Sequence, residues 1–278
     1  MEKITDWSAL WDELVAVQRR SARQLARTPE ERADPWHERA SEFDEMSKRR
    51  AAEPDPLKDF VASRLDASTT VLDIGAGTGA WVLRLAPLVA SVTALDPSPA
   101  MLTILRQNVE RAGLRNVRVV AGAWPEAAVE AHDVSLCVHA VYASPNLPRF
   151  VKRMMEVTRR TCYLVLRSPP PDGLMAEAAR RAWGQPYDSP NFVIAYNVLL
   201  HMGLYPNVLF SRQTWPPRSC LRLEEALAEV KRRLALGEEP SEHDEYLEAL
   251  LRRKLEHREG RYYWPESARS ALIYWDVH

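Results

Sequence analysis

Along the middle of this 278-residue chain, short apolar runs alternate with stretches whose apolar positions recur at helical spacing. Before them, Asp6 can cap a helix with an apolar stripe of Trp7, Leu10, Trp11 and Leu14. Its tail carries Arg19, Arg20, Arg23 and Arg27, read as a solvated face. Asp34-Pro35-Trp36 predicts a second helix start, with proline just inside the cap, and Trp36, Ala40 and Phe43 then share one face. From about residue 56 the pattern predicts strands over 71–74, 91–95, 117–121, 134–138 and 163–166. Helices are predicted between them, over about 80–90, 97–111 and 147–159. Strand–helix alternation at this spacing means a parallel sheet with helices on both faces.

After Arg167 the alternation stops at Pro169-Pro170-Pro171. Helices are expected over about 174–183, 191–202 and 223–234, and from Ser241-x-x-Asp244 to about His257. Residues 207–214 and 271–277 read as two more strands of the sheet, with the helices of 168–205 and 216–266 forming a lid beside it.

Composition narrows the function. A formal charge of −1 weighs against a dedicated nucleic-acid binder. No apolar run approaches the roughly 18 residues of a membrane span, and residues 1–6 lack the apolar core of a signal peptide. The expectation is a soluble, cytoplasmic protein with no membrane partner. Cys137, Cys162 and Cys220 are widely spaced and form no C-x-x-C, so neither a metal site nor a disulfide frame is expected.

The most informative stretch is Val71-Leu72-Asp73-Ile74 running into Gly75-Ala76-Gly77-Thr78-Gly79 and then a helix. Glycines let the chain bend tightly and let a ligand approach the backbone. The helix start beyond them offers unpaired N–H groups. Asp96 ends the second strand, where an acidic side chain can accept both hydroxyls of a ribose. Dinucleotides and S-adenosylmethionine both fit this frame. A dinucleotide fingerprint would put its third glycine at position 80, which holds Ala80, a tolerated variant; spacing alone leaves both open.

The surrounding motifs separate the two. Residues 71–79 resemble the first motif of class I S-adenosylmethionine-dependent methyltransferases. Ala94-Leu95-Asp96-Pro97-Ser98, followed by Met101-Leu102, is similar to their second. Residues 119–124 and 133–142 resemble the ends of their third and fourth strands, so the likeness runs over about 34–167. It implies an α/β, Rossmann-like, doubly wound fold. The sheet would be seven-stranded and mostly parallel, with N-terminal helices and a helical lid inserted in the C-terminal part. Residues 1–55 would then cover the cofactor, 56–167 would bind S-adenosylmethionine, and 168–278 would form the lid and substrate region with the last two strands.

Residue by residue, the resemblance implies that Gly75, Ala76 and Gly77 pass along the methionine and ribose of the cofactor, with Asp73 near its amino group. Asp96 would hold the ribose hydroxyls, and Pro97 and Met101 would flank the adenine. Ala123 and Trp124 would border its other side. Many relatives carry an aspartate where this chain has Ala123, so a backbone contact or stacking by Trp124 must substitute. Trp36 would both pack and fold over the cofactor. His139 is either a general base or, the favoured reading, an orienting group touching the cofactor. Tyr142 would face the methyl group or cap the pocket; Asp133 is read as structural. Tyr196 and Trp215, in the lid, would approach the methyl group from the side opposite His139.

After the fourth strand stands His139-Ala140-Val141-Tyr142 rather than the [DNS]-P-P-[YFW] of amino methylases, which points away from nucleobase amines. The expected function is methyl transfer by in-line displacement to a small-molecule acceptor. The alternatives are transfer to RNA or protein, an NAD-dependent oxidoreductase, and a cofactor-binding protein without turnover.

Overall fold

A computed structural model describes residues 5–26, 28–51, 53–214, 218–265 and 268–277. The first half supplies α1 (Trp7–Leu25), α2 (Pro29–Ala33), α3 (Ala40–Ala51), α4 (Pro56–Ala62), β1 (Thr70–Ile74), α5 (Val82–Leu85), β2 (Ser91–Asp96), α6 (Pro99–Arg111), β3 (Val117–Ala121) and β4 (His132–Val138). The second half supplies α7 (Leu147–Glu156), β5 (Thr158–Ser168), α8 (Leu174–Trp183), α9 (Phe192–His201), β6 (Asn207–Thr214), β7 (Ser219–Cys220), α10 (Leu223–Arg233), α11 (Asp244–Lys254), β8 (Glu256–Arg258), β9 (Arg261–Tyr263) and β10 (Arg269–Asp276).

The seven-stranded, mostly parallel sheet has the order β3-β2-β1-β4-β5-β10-β6. Only β10 runs against its neighbours, β5 and β6. Alternate side chains feed opposite faces, as strand geometry requires. Leu72, Ile74, Leu95 and Cys137 face α1, α7 and α9, meeting Trp11, Phe150 and Val198. Val71, Val92, Ala94 and Leu136 face α4, α5 and α6, meeting Leu57, Val82 and Leu105. Trp11 is fully buried, and its indole N–H donates to the Ser144 carbonyl at 2.9 Å. A large apolar side chain is thus buried without orphaning its polar atom.

A third cluster lies apart. Leu174 and Ala178 of α8 pack with Val230 of α10 and Leu250 of α11, closed by Trp264 beyond β9. The small β7-β9-β8 sheet accompanies it. Helix α9 stays with the main sheet instead, its Ile194 and Val198 packing in the same cluster as Trp11 and Phe150.

Four element boundaries differ from expectation, each for a local reason. The helix after the glycine turn is only α5, with one 3-10 turn over Ala86–Leu88, because Pro87 has no N–H and clashes with the preceding turn. The helix expected from Pro35 does not start there. Asp34 ends α2 and turns its carboxylate to the Trp36 N–H and the Ser98 hydroxyl, and α3 begins at Ala40. Helix α7 stops at Glu156, since Thr158 already pairs with His132 as β5 begins. Helix α11 stops at Lys254. Glu259 and Gly260 take positive φ (50° and 71°), which suits the tight turn joining β8 to β9.

Candidate functional site

β1 lies between β2 and β4, so the chain leaves it to opposite sides and opens a crevice at the carboxyl ends of these strands. A cavity of about 350 Å³ lies there, lined by Gly75, Leu95, Pro97, Ala123, Trp124, Ala140 and Phe150 among others.

The glycine turn builds its floor. Gly75 and Ala76 donate their N–H groups to the Leu95 carbonyl at 2.8 and 3.0 Å. Gly75 has φ +75°, and a Cβ there would lie 2.2 Å from the Ala140 Cβ; at Gly79, φ +95°, it would lie 2.4 Å from Leu105 Cδ1. Both positions therefore require glycine. The Gly77 N–H donates to Asp96 Oδ2 at 2.8 Å, and the Ser98 N–H to Asp96 Oδ1 at 2.9 Å. Burial pushes the Asp96 carboxyl up, these two N–H groups pull it down, and the Asp34 charge adds to the rise. Each Asp96 oxygen has one of its two acceptor sites taken and one left.

Asp73 shares a sheet face with Asp96 and is buried. Burial first, and then the charge of Asp96, push its carboxyl up to about 7. Burial also pushes the Cys137 thiol up, so this wall residue is no nucleophile at neutral pH.

The opposite wall is apolar. The Trp124 indole N–H donates to the Phe150 carbonyl at 3.2 Å, and the two rings meet edge-on with centroids 6.0 Å apart. The Gly122 N–H donates to the Asp96 carbonyl at 3.1 Å, which ties the end of β3 to the end of β2.

The sequence-expected residues separate into groups. Gly75, Pro97, Ala123 and Trp124 line the cavity; Asp73 and Asp96 do not, but each directly adjoins a lining residue (Ile74; Leu95 and Pro97), and Gly77 is tied to Asp96. Ala76 and Met101 are buried beside it, and the Met101 N–H donates to the Ser98 hydroxyl. Trp36 packs edge-on against Phe43 (5.1 Å), with the Arg39 guanidinium over its ring. It stands off the cavity wall. Asp133 accepts the Thr70 N–H and hydroxyl, both at 2.8 Å, which joins β4 to β1.

His139 and Tyr142 are locked together. The Arg167 N–H donates to the Tyr142 hydroxyl oxygen at 2.7 Å. His139 Nδ1 lies 2.8 Å from the Tyr142 hydroxyl oxygen, and Nε2 faces the Ser270 hydroxyl at 3.0 Å. Burial, then the Arg167 and Arg50 charges, lower the His139 pKa to about 3, so the ring is neutral. Burial pushes the Tyr142 phenol up to about 12.

Tyr196 is not brought into the site. Its hydroxyl donates to the Pro206 carbonyl just before β6, four strands from β1, or about 19 Å at the usual strand spacing. Trp215 and Arg27 lie outside the described residues. Two residues on the wall were not expected there. Arg19 donates from Nε to the Ala143 carbonyl at 2.9 Å, and Arg149 pairs with Glu126 at 3.0 Å. Among the described residues no cluster of His, Cys, Asp or Glu could hold a metal ion, and no helix is long and apolar enough to cross a membrane.

Residues 71–161, from β1 into β5, match a family model described as a methyltransferase domain. This stretch is a methyltransferase domain by that match. The chain is 53% identical over 47 residues to a 23S rRNA uracil-C5-methyltransferase of Chromohalobacter salexigens, covering 17% of this chain and 10% of the relative. It is 28% identical over 123 residues to a probable cobalt-precorrin-6B C(15)-methyltransferase (decarboxylating) of Sulfolobus acidocaldarius, covering 43% of this chain and 61% of the relative. The chain thus spans less than two thirds of either relative. In fold it is similar to the YcgJ protein of Bacillus subtilis: TM-score 0.54, 16% identity, 80% of this chain and 97% of that one.

Proposed function

We propose that the protein is a methyltransferase that takes S-adenosylmethionine as donor and directs its methyl group, by in-line displacement, to a small-molecule acceptor. The observation that carries the donor half is the Gly77–Asp96 hydrogen bond, with Asp96 standing between the cavity-lining Leu95 and Pro97. It leaves Asp96 with one free acceptor site on each oxygen, matching the two hydroxyls of a ribose. Leu95, Pro97, Ala123 and Trp124 offer an apolar slot for adenine, and Asp73 a buried carboxylate for an ammonium group.

The donor supplies an already activated methyl group whose leaving thioether is neutral. What remains for the protein is alignment and exclusion of water, which can be worth about 7–11 kcal/mol. Helix α1 helps to close the site. Trp11 and Arg19 hold the Ser144 and Ala143 carbonyls, and Asp12 accepts the Asn146 N–H at 2.6 Å. His139 acts as an orienting group: both ring nitrogens are engaged, by the Tyr142 and Ser270 hydroxyls, and its pKa of about 3 makes it a weak base. In this reading residues 1–55 cover the donor and 168–278 contribute the acceptor side.

The small-molecule half is favoured by a cavity within the usual small-ligand range, about 300–1,000 Å³. The near-neutral charge balance favours it too. Transfer to RNA is a second reading, supported by the 47-residue match to an rRNA enzyme. Incubating the protein with radiolabelled S-adenosylmethionine and cell extract separates the two. Label in the low-mass fraction is expected, and label confined to RNA or protein overturns the acceptor class.

Asp73 makes donor binding pH-dependent. With its folded pKa raised to about 7, it is protonated in the free protein below that pH. Pairing with an ammonium group requires the carboxylate. Binding should therefore release one proton below about pH 7, and affinity should climb by up to about tenfold per pH unit until it levels above that value. The stability linkage has the opposite sense. A raised carboxyl pKa favours the folded state at low pH, and this contribution fades as pH rises from about 4 to about 7. Calorimetry with S-adenosylhomocysteine in buffers of different ionisation heat measures the proton release. Asp73→Asn should abolish it; equal release from the variant would remove Asp73 from this role.

A further inference from the structure

One arginine at the carboxyl edge of the sheet has no counterion among the described residues. Arg167, the penultimate residue of β5, lays its guanidinium over the Tyr142 ring at 4.6 Å. Its Nε is buried without a hydrogen-bond partner, and no carboxylate among the described residues pairs with it. Arg233 shows the contrast, since it is partly buried and pairs with the buried Asp188. A buried guanidinium N–H with no acceptor is costly unless something else supplies one.

A second donor stands beside it. Ser270 of β10 is directly opposite Arg167 in the antiparallel register, so the two side chains share a face about 4.5–5.5 Å apart at Cβ. Around the cluster the Arg167 backbone N–H donates to the Tyr142 hydroxyl oxygen, His139 Nδ1 lies 2.8 Å from that oxygen, and His139 Nε2 lies 3.0 Å from the Ser270 hydroxyl. The Arg167 guanidinium also bonds the Tyr142 phenol, which leaves its Nε–H as the donor without an acceptor among the described residues, beside a serine hydroxyl that can turn to a ligand. The charges acting on His139 at the centre of the cluster, Arg167 and Arg50, are both positive. The cluster adjoins the proposed donor cavity, because Ala140 and Ala143, on either side of Tyr142, line that cavity.

We propose that Arg167 and Ser270 form an anion-binding subsite of the acceptor pocket, and that the methyl acceptor carries a carboxylate which they hold. The guanidinium fork suits a planar carboxylate, and the serine hydroxyl adds a third donor. This assignment rests on the methyltransferase reading above and narrows its acceptor to small carboxylic acids.

The test uses the full chain saturated with S-adenosylhomocysteine and carrying isotope-labelled arginine. Benzoate is titrated while the Arg167 Nε–H resonance is followed by NMR. A saturable shift is expected with benzoate and none with benzamide, its uncharged analogue. By calorimetry, Arg167→Gln should weaken benzoate at least tenfold, and Ser270→Ala by a smaller factor. The wild-type shift reports on Arg167 itself, so the test stands even if a variant folds poorly. A silent Arg167 resonance, or equal benzoate affinity in a folded Arg167→Gln, overturns the subsite. Inorganic phosphate or a short RNA binding at Arg167 more tightly than benzoate overturns the carboxylate assignment. Failure of S-adenosylhomocysteine to bind in the same samples would sink the donor reading instead.

Discussion

Asp96→Ala is expected to weaken S-adenosylhomocysteine binding by about ten- to a hundredfold. Hydrogen bonds to a charged group are worth about 1.5–3 kcal/mol, and the ribose hydroxyls would lose both acceptors at once. The effect is not confined to the ligand. Asp96 accepts the Gly77 and Ser98 N–H groups, so the variant also leaves two donors of the binding loops without their acceptor. Apparent stability should fall along with affinity. Asp96→Asn keeps one carbonyl acceptor and should lie between the two proteins. Calorimetry and thermal melts measure both effects; an unchanged affinity for the alanine variant would take Asp96 out of the site.

Gly75→Ala should have the largest effect on folding. A non-glycine residue at φ +75° stores about 1–3 kcal/mol of backbone strain. The new Cβ would also stand 2.2 Å from that of Ala140, and overpacking of this kind costs about 1–3 kcal/mol more. The predicted loss is roughly 2–6 kcal/mol by urea unfolding. The two contributions can be separated. Adding Ala140→Gly removes the steric contact and should restore part of the loss, while the strain remains. A Gly75→Ala protein as stable as the wild type would contradict the geometry of the turn.

Much of this architecture was legible in the sequence because local and tertiary preferences agree there. The runs over 71–74 and 91–95 are largely buried parallel strands, and 117–121 is a half-exposed parallel edge strand rich in β-branched valine. The ends of elements were harder to read where a distant partner decides. Asp34 looked like a helix cap, but it serves the Ser98 hydroxyl 64 residues away. Arg19 was set aside as a solvated face, although it follows Trp11 and Val15 at four-residue spacing and so lies on the buried stripe of α1. That signal was present in the chain. Tyr196 carried no comparable signal. Whether α9 joins the lid or the sheet depends on which apolar surface α1 leaves uncovered, and helical periodicity does not encode that choice. The neighbours of Arg167 were equally hidden, because the register of β10 against β5 joins residues about a hundred positions apart.

The central claim is that this crevice holds S-adenosylmethionine and not a dinucleotide. Titration calorimetry of the purified chain with S-adenosylhomocysteine, NAD and NADP tests it most directly. The account predicts saturable binding of one S-adenosylhomocysteine per chain, weakened in Asp96→Ala, with no measurable heat from either dinucleotide. Tighter binding of NAD or NADP than of S-adenosylhomocysteine would contradict it.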